Sequence, residues 1–456
     1  MNLISKIDAK TLVLAVVASF IFVFALNAIY APMLNNGDYW RVVGAFNVDA
    51  VTWRPLPACI AVNDSVGWSE LLPASTMRTI LAAIFIGFRF AGEPCLTPNG
   101  IFIGLSAIYF LGVVLIAAVG TIGLGARIGT ILGLCFAYSF VGFYMKSGYE
   151  AASVLAFLPL FTFAAMVRSR IVYLLASAAI LYSKAQMIFL VPFMIYAYVR
   201  CVRLPLPRKW MDAAVILVFL VAPSAVQLYK ASQYGLTEPN AYNRVYNGFG
   251  WTLQGVADWP VHEFRSRKGY FDEHKAELQA RTEFKSLFPD SKLAGTSYWP
   301  TGAAIRDDAG EEDVPALDKS RLRESFIALA TNGPSHLHWV RTALELAYTS
   351  DYSLDYTRSL SPLAKSGPLS YESVSAAILA NLGFVFLAFA VLTVLIARRF
   401  DLLLLAGYIA AGAPMFTVTG DGFFEYEKHL LPVMIFVFAL PGIAVACRSV
   451  ALGRRG

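Results

Sequence analysis

The chain has 456 residues, of which 57% are hydrophobic and only 15% charged, and its mean hydropathy is +0.58. That is too much apolar surface for a water-soluble fold of ordinary composition, so the sequence reads as an integral membrane protein. The net charge of +6 is modest, and because Lys and Arg cluster between apolar runs they report orientation in a bilayer; nucleic acid is excluded as a partner.

Lys6 and Lys10 precede an apolar run over 11–30. It is long enough to span and lacks a clean small-x-small cleavage site, so it reads as a retained first helix rather than a signal peptide. The next clear span, 101–119, returns to Arg127, leaving about 70 residues outside. Within them Thr76–Phe90 is short and interrupted by Arg78 and Arg89, as expected of an interfacial helix lying on the membrane. Making it a true span would put Arg168, Arg170, Arg200, Arg203, Arg208 and Lys209 outside, against the positive-inside rule. Crossings are then expected at 127–143, 151–167, 171–182, 187–199 and 210–229, several of them short enough for broken or re-entrant geometry.

From 230 to 370 hydrophobicity collapses, which predicts an outer domain of about 140 residues, mainly helical. The chain re-enters over 373–397, meets Arg398 and Arg399 inside, exits over 402–418 and returns over 430–446 to a basic tail. The expected fold is an all-α polytopic membrane protein of about ten transmembrane helices. Its parts are an N-terminal module (1–229) with a first outer loop (32–98), the outer domain (230–370) and C-terminal helices (371–456), with both termini cytoplasmic. No internal repeat is evident, which weighs against a transporter of inverted halves.

On this topology the inner loops are little more than Arg and Lys, whereas the outer loops are mixed. They read Asn36-Gly37-Asp38-Tyr39-Trp40-Arg41, Lys146-Ser147-Gly148-Tyr149-Glu150, Ser183-Lys184-Ala185-Gln186, and Gly420-Asp421-Gly422 through Glu427-Lys428-His429. An ionisable group at a helix centre in the bilayer costs about 2.5 to 3.5 kcal/mol, and less near the interface, so such groups need partners or a task. Snorkelling and helix capping explain any one loop. They do not account for charged groups beside aromatic or polar residues in all four.

This pattern resembles the GT-C superfamily of membrane glycosyltransferases, and more narrowly the hexose transferases of bacterial surface-glycan biosynthesis. The residues that carry the resemblance are Asn36-Gly37-Asp38-Tyr39 with Arg41-Val42, the Lys146 to Glu150 and Ser183 to Gln186 loops, Arg244-Val245-Tyr246-Asn247-Gly248, and Gly420-Asp421-Gly422 with Glu427-Lys428-His429-Leu430. Where that pattern has an Asn-Ser-Phe-Tyr type run, this chain has Lys146-Ser147-Gly148-Tyr149.

The resemblance implies an enzyme of the bacterial inner membrane, working at its periplasmic face. Its partners would be a polyprenyl-phosphate-sugar donor, a lipid-linked or surface glycan acceptor and the membrane lipids. It implies Asp38 as general base, with Lys184, Lys428, His429 and Arg41 as donors to the leaving phosphate. Glu150, Gln186, Tyr39 and Glu427 are the implied substrate-binding residues; for Glu150, binding sugar hydroxyls, orienting the acceptor and tethering Lys184 all remain open.

No cofactor is expected; the alternative is a divalent cation held by Asp38, Glu150 and Asp421. His336 and His338 would project to different faces of a helix and read as surface residues. The outer aromatic residues read mainly as interface anchors. Cys59 and Cys95 form the expected disulfide pair if the outer compartment is oxidising. The rival functions are an O-antigen polymerase or ligase, which would lean on outer arginines and a histidine, and a transporter or flippase, which would carry its charges near the bilayer midplane.

Overall fold

The computed structural model describes residues 8–31, 60–61, 75–91, 95–147, 149–202, 209–233, 340–341, 343–344, 347–348, 361, 370–399, 401–421 and 426–453. Helix α1 (Ala9–Ile29) starts at Asp8, whose carboxylate accepts hydrogen bonds from Lys10 N (3.2 Å) and Thr11 Oγ1 (2.5 Å). The Thr11 hydroxyl, then the Lys10 amide, hold the Asp8 carboxyl below its ordinary value. Little of α1 is buried. Val13, Leu14, Val17, Phe20, Ile21 and Phe24 form an exposed apolar flank of the kind that lipid covers.

The described chain is helical apart from one short antiparallel pair, β1 (Ile60–Ala61) with β2 (Cys95–Leu96), in which Ile60 faces Leu96. Between the two strands runs α2 (Thr76–Phe90). It is followed by α3 (Pro98–Ala118), α4 (Leu124–Val141) with a 3₁₀ extension over Gly142–Lys146, α5 (Glu150–Val167) and α6 (Arg170–Leu181). Pro98 opens α3 behind Thr97, whose hydroxyl accepts from Gly100 N (3.0 Å). Short connections make α3 to α6 antiparallel neighbours. At the α3–α5 crossing a Cβ on Gly112 would stand 2.5 Å from Pro159 C and Leu160 N, so only glycine lets the backbones approach there.

This alternation sorts the molecule into two ends. One holds Thr97, Lys146, Glu150 and Leu181, and is called here the lysine end; the other holds Ala118, Leu124, Val167 and Arg170, the arginine end. α1 begins at the arginine end, where Asp8 N donates to Ala118 O (3.0 Å). It finishes at the lysine end, where Lys146 Nζ reaches Asn27 O and Tyr30 O.

The chain next continues through a 3₁₀ stretch (Ala185–Leu190), α7 (Val191–Ala197) and a π-helical turn (Tyr198–Val202). Then come α8 (Lys209–Ile216), a π-helical turn (Leu217–Val221) and α9 (Ala222–Gln233). That rod starts with Asp212 beside Arg170 (3.8 Å) and ends with Lys230 on Tyr182 (2.6 Å), again joining opposite ends.

α10 (Tyr371–Leu379) and α11 (Leu382–Ala397) meet at a 69° bend. They are followed by α12 (Asp401–Gly407), a π-helical turn (Tyr408–Gly412) and α13 (Ala413–Asp421). α14 (Tyr426–Met434), a 3₁₀ turn (Ile435–Ala439) and α15 (Leu440–Gly453) form the most enclosed rod, and Gly442 fits against Thr162 and Met166 of α5.

Among the described residues six helices are long and apolar enough to cross a membrane, or seven with the bent α10–α11 pair as one span. The other expected crossings, 171–182, 187–199 and 402–418, coincide with apolar helices of 10–17 residues. Two of these carry 3₁₀ or π turns, the irregular backbone a membrane tolerates where protein covers it. α2 keeps to the lysine end: Thr76 Oγ1 donates to Ala179 O (2.6 Å), Thr76 N to Tyr182 O (3.4 Å), and Ile84 packs on Gly104 in the second turn of α3. It therefore lies across helix ends, with Met77, Ile80, Leu81 and Phe85 buried beneath it.

At the arginine end α5 and α11 stop in the same way. Arg168 (φ 58°) and Arg398 (φ 50°) take the left-handed conformation usual for glycine. Ser169 N returns to Ala164 O (2.9 Å) and Arg399 N to Val394 O (3.4 Å).

Of the expected outer domain, only the helical positions within 340–348, Ser361, Ser370 and the end of α9 are described. Ala343 and Ala347 are fully buried, and a Cβ on Gly383 would stand 2.6 Å from Tyr348 Cα, so this stretch is built into the bundle. Cys135 is a free thiol. Cys447, in α15 at the arginine end, is disulfide-bonded, a bond that the expected Cys59–Cys95 pairing does not include. Cys59 and the Cys95 side chain lie outside the described residues, although Ile60 and Leu96, which directly follow them, are paired.

Candidate functional site

α6 ends at Leu181, and the next three residues turn the chain into an extended Lys184 (φ −155°, ψ 149°) before the 3₁₀ stretch. A helix end leaves backbone carbonyls without helical partners, and here other elements supply the donors. Gln227 Nε2 of α9 donates to Tyr182 O (2.7 Å). Ser153 of α5 donates to Ser183 Oγ (2.8 Å), which itself donates to Ala179 O (2.9 Å). Lys230 Nζ donates to Tyr182 Oη (2.6 Å) and stands 5.0 Å from the centre of that ring.

Onto this junction α14 brings His429, 8% exposed, whose Nδ1 lies 3.2 Å from Lys184 Nζ. Residues 245 positions apart are thus hydrogen-bonded. An ammonium has donors only, so His429 Nδ1 accepts and its proton belongs on Nε2. Lys184 and His429 bring N–H groups together in a partly buried place, a chemistry that suits an anionic oxygen.

The 3₁₀ stretch that follows Lys184 is packed by aromatic rings. Phe189 stacks on Tyr408 (4.3 Å, 2°) and packs against Phe416, and Tyr408 Oη donates to Phe189 O (2.5 Å).

Of the residues singled out in sequence, Lys184 and His429 meet. Glu150 opens α5 at the same end, one turn before Ser153, and Gln186 sits half-buried in the 3₁₀ stretch. Glu427 and Lys428 lie in the first turn of α14, with side chains outside the described residues. Asp38, Tyr39 and Arg41 lie outside the described residues altogether, as does the Asp421 side chain on which the divalent-cation alternative depends.

Sequence reasoning missed Thr76, Tyr182, Gln227 and Lys230. The signal for the last two was present: Gln227 and Lys230 are three apart, on one helical face of an otherwise apolar run. Ending that crossing at Tyr229 assigned Lys230 to the outer domain instead.

Lys146, read as a departure from the glycosyltransferase pattern, has a structural task. It is 5% exposed and donates to Asn27 O (2.9 Å) and Tyr30 O (2.7 Å), with the Phe102 ring 5.9 Å away. The chain matches no family model, and comparison with curated proteins and with solved structures returns no match.

Proposed function

We propose that the protein is a GT-C-type glycosyltransferase that takes a hexose from a polyprenyl-phosphate carrier at the lysine end of the bundle and passes it to a cell-envelope glycan or lipid acceptor. Ten traverses of the bilayer follow if the three short apolar rods cross with the seven longer ones. The arginine end then faces the cytoplasm with both termini, by the positive-inside rule.

The observation that carries the proposal is the Lys184–His429 hydrogen bond. It gathers two cationic or proton-donating side chains at the end of the bundle where α1 finishes, ahead of Asp38 in the sequence.

In the reaction Asp38 removes the proton of the acceptor hydroxyl, and that oxygen attacks the sugar C1 from the face opposite the phosphate. The C1–O bond to phosphate breaks, its electron pair stays on the phosphate oxygen, and the anomeric centre inverts. Lys184 and His429 donate hydrogen bonds to the charge that develops there, the kind of fixed electrostatic assistance that contributes most to catalysis. Lys428 and Arg41 join them as phosphate donors, and Glu150, Gln186, Tyr39 and Glu427 bind the sugar or acceptor.

The test uses purified protein in lipid with synthetic polyprenyl-phosphate hexoses and an acceptor extract. Wild type is expected to consume the donor, and Asp38→Asn to be slower by about 10² to 10⁴, the span of general-base catalysis. Equal rates for the two proteins would remove Asp38 as the base. Failure of wild type to consume any donor would remove the transferase assignment.

A further inference from the structure

The last helical hydrogen bond of α1 runs from Tyr30 N to Leu26 O (2.9 Å), so the carbonyls of Asn27, Ala28, Ile29 and Tyr30 have no partner within the helix. Two residues from distant parts of the chain take all four. Lys146 Nζ donates to Asn27 O (2.9 Å) and Tyr30 O (2.7 Å). Ser361 donates its hydroxyl to Ala28 O (2.7 Å) and its backbone N–H to Ile29 O (2.8 Å). Tyr30 fixes the same turn sideways, its hydroxyl donating to Ser139 O of α4 (2.6 Å).

A buried ammonium is expensive in an apolar bundle unless something of opposite sign meets it. No carboxylate pairs with Lys146 among the described residues. What meets it is the negative end of the α1 dipole, concentrated on those same carbonyls. An apolar side chain at 146 would bury the carbonyls unpaired, and one at 361 would free another. The arrangement therefore needs donors at these two positions and at this depth.

We propose that Lys146 and Ser361 are positioning residues that lock the carboxyl end of α1, from which the chain runs on toward Asp38. The end of α1, Lys146 and Ser361 then move as one piece. The consequence for transfer rests on Asp38 acting as base; the lock itself does not.

The test is hydrogen exchange on the full chain in lipid nanodiscs, read at amides 27–31 and, as controls, in α5 and α15, for wild type, Lys146→Met, Lys146→Arg and Ser361→Ala. In Lys146→Met, amides 27–31 are expected to exchange at least about tenfold faster with the controls unchanged, while Lys146→Arg, which keeps two donors, stays within about threefold of wild type. Ser361→Ala changes one partly exposed hydroxyl and is expected to give a smaller acceleration at the same amides, which keeps the test decisive if Lys146→Met does not fold.

With transfer measured alongside, kcat falls in Lys146→Met with little change in KM for the donor, and Arg restores it. Wild-type exchange at 27–31 in both Lys146→Met and Ser361→Ala overturns the lock. So does loosening of α5 and α15 to the same degree as α1. A wild type that exchanges as described, with the variants accelerated as expected, but transfers no sugar supports the lock and removes the transferase assignment.

Discussion

The two ends of the bundle handle positive charge in opposite ways. At the arginine end the cations finish helices: Arg127 Nη1 donates to Ala117 O at the end of α3 (2.6 Å), and Arg168 and Arg398 are themselves the left-handed caps of α5 and α11. Arg170 is held between Asp212 and the Tyr198 ring. At the lysine end three lysines point inward, onto carbonyls, a phenol and an imidazole: Lys146 on α1, Lys230 on Tyr182, Lys184 on His429. A guanidinium fork is suited to capping and to headgroups, whereas an ammonium is a compact donor that fits a junction of several helices. On the proposed function, the arginine end sets orientation and the lysine end carries the chemistry.

Breaking that division starts with Lys184. If it supports the leaving phosphate, Lys184→Met should lower kcat by about 10² to 10³, the cost of losing one such donor. Adding His429→Ala should then cost much less than it does alone, because hydrogen-bonded neighbours are not additive. Strict additivity in kcat would separate the two residues functionally.

Lys230→Met should have a middle effect. A hydrogen bond to a charged group is worth about 1.5 to 3 kcal/mol, so kcat/KM should fall roughly ten- to a hundredfold if Tyr182 needs its partner. An unchanged rate would confine Lys230 to the edge of the site.

The smallest effect is expected at the opposite end. Arg398→Gly relieves a left-handed non-glycine residue, so thermal denaturation in lipid should show a gain of about 1 kcal/mol, with transfer unchanged. A large loss of transfer in that variant would collapse the distinction between the ends.

Much of the framework was legible because apolar length and basic loops obey simple rules. The runs expected at 101–119, 127–143 and 151–167 fall on α3, α4 and α5, and the short amphipathic Thr76–Phe90 lies across helix ends. The meeting of Lys184 with His429 followed only in outline, from both being assigned to one face. What the sequence hid depends on tertiary partners. Nothing in Lys146-Ser147-Gly148 says that the cation turns back to cap a helix ending 116 residues earlier. The expected outer domain was drawn from polarity alone, and polarity does not register that Ala343 and Ala347 are buried or that Gly383 admits the backbone of Ala347 and Tyr348.

The tyrosines near that close approach set a limit on engineering. Tyr348 Oη donates to Ala410 O (2.7 Å), inside the same π-helical turn as Tyr408, and Tyr408 reaches the 3₁₀ stretch that begins directly after Lys184. A graft that exchanges the polar segment for one from another protein therefore has to end before residue 340. A splice placed at the hydropathy boundary near 370 would remove a tie that runs through two phenols to Phe189, in the 3₁₀ stretch that follows Lys184. Its loss of activity would then be mistaken for loss of acceptor recognition.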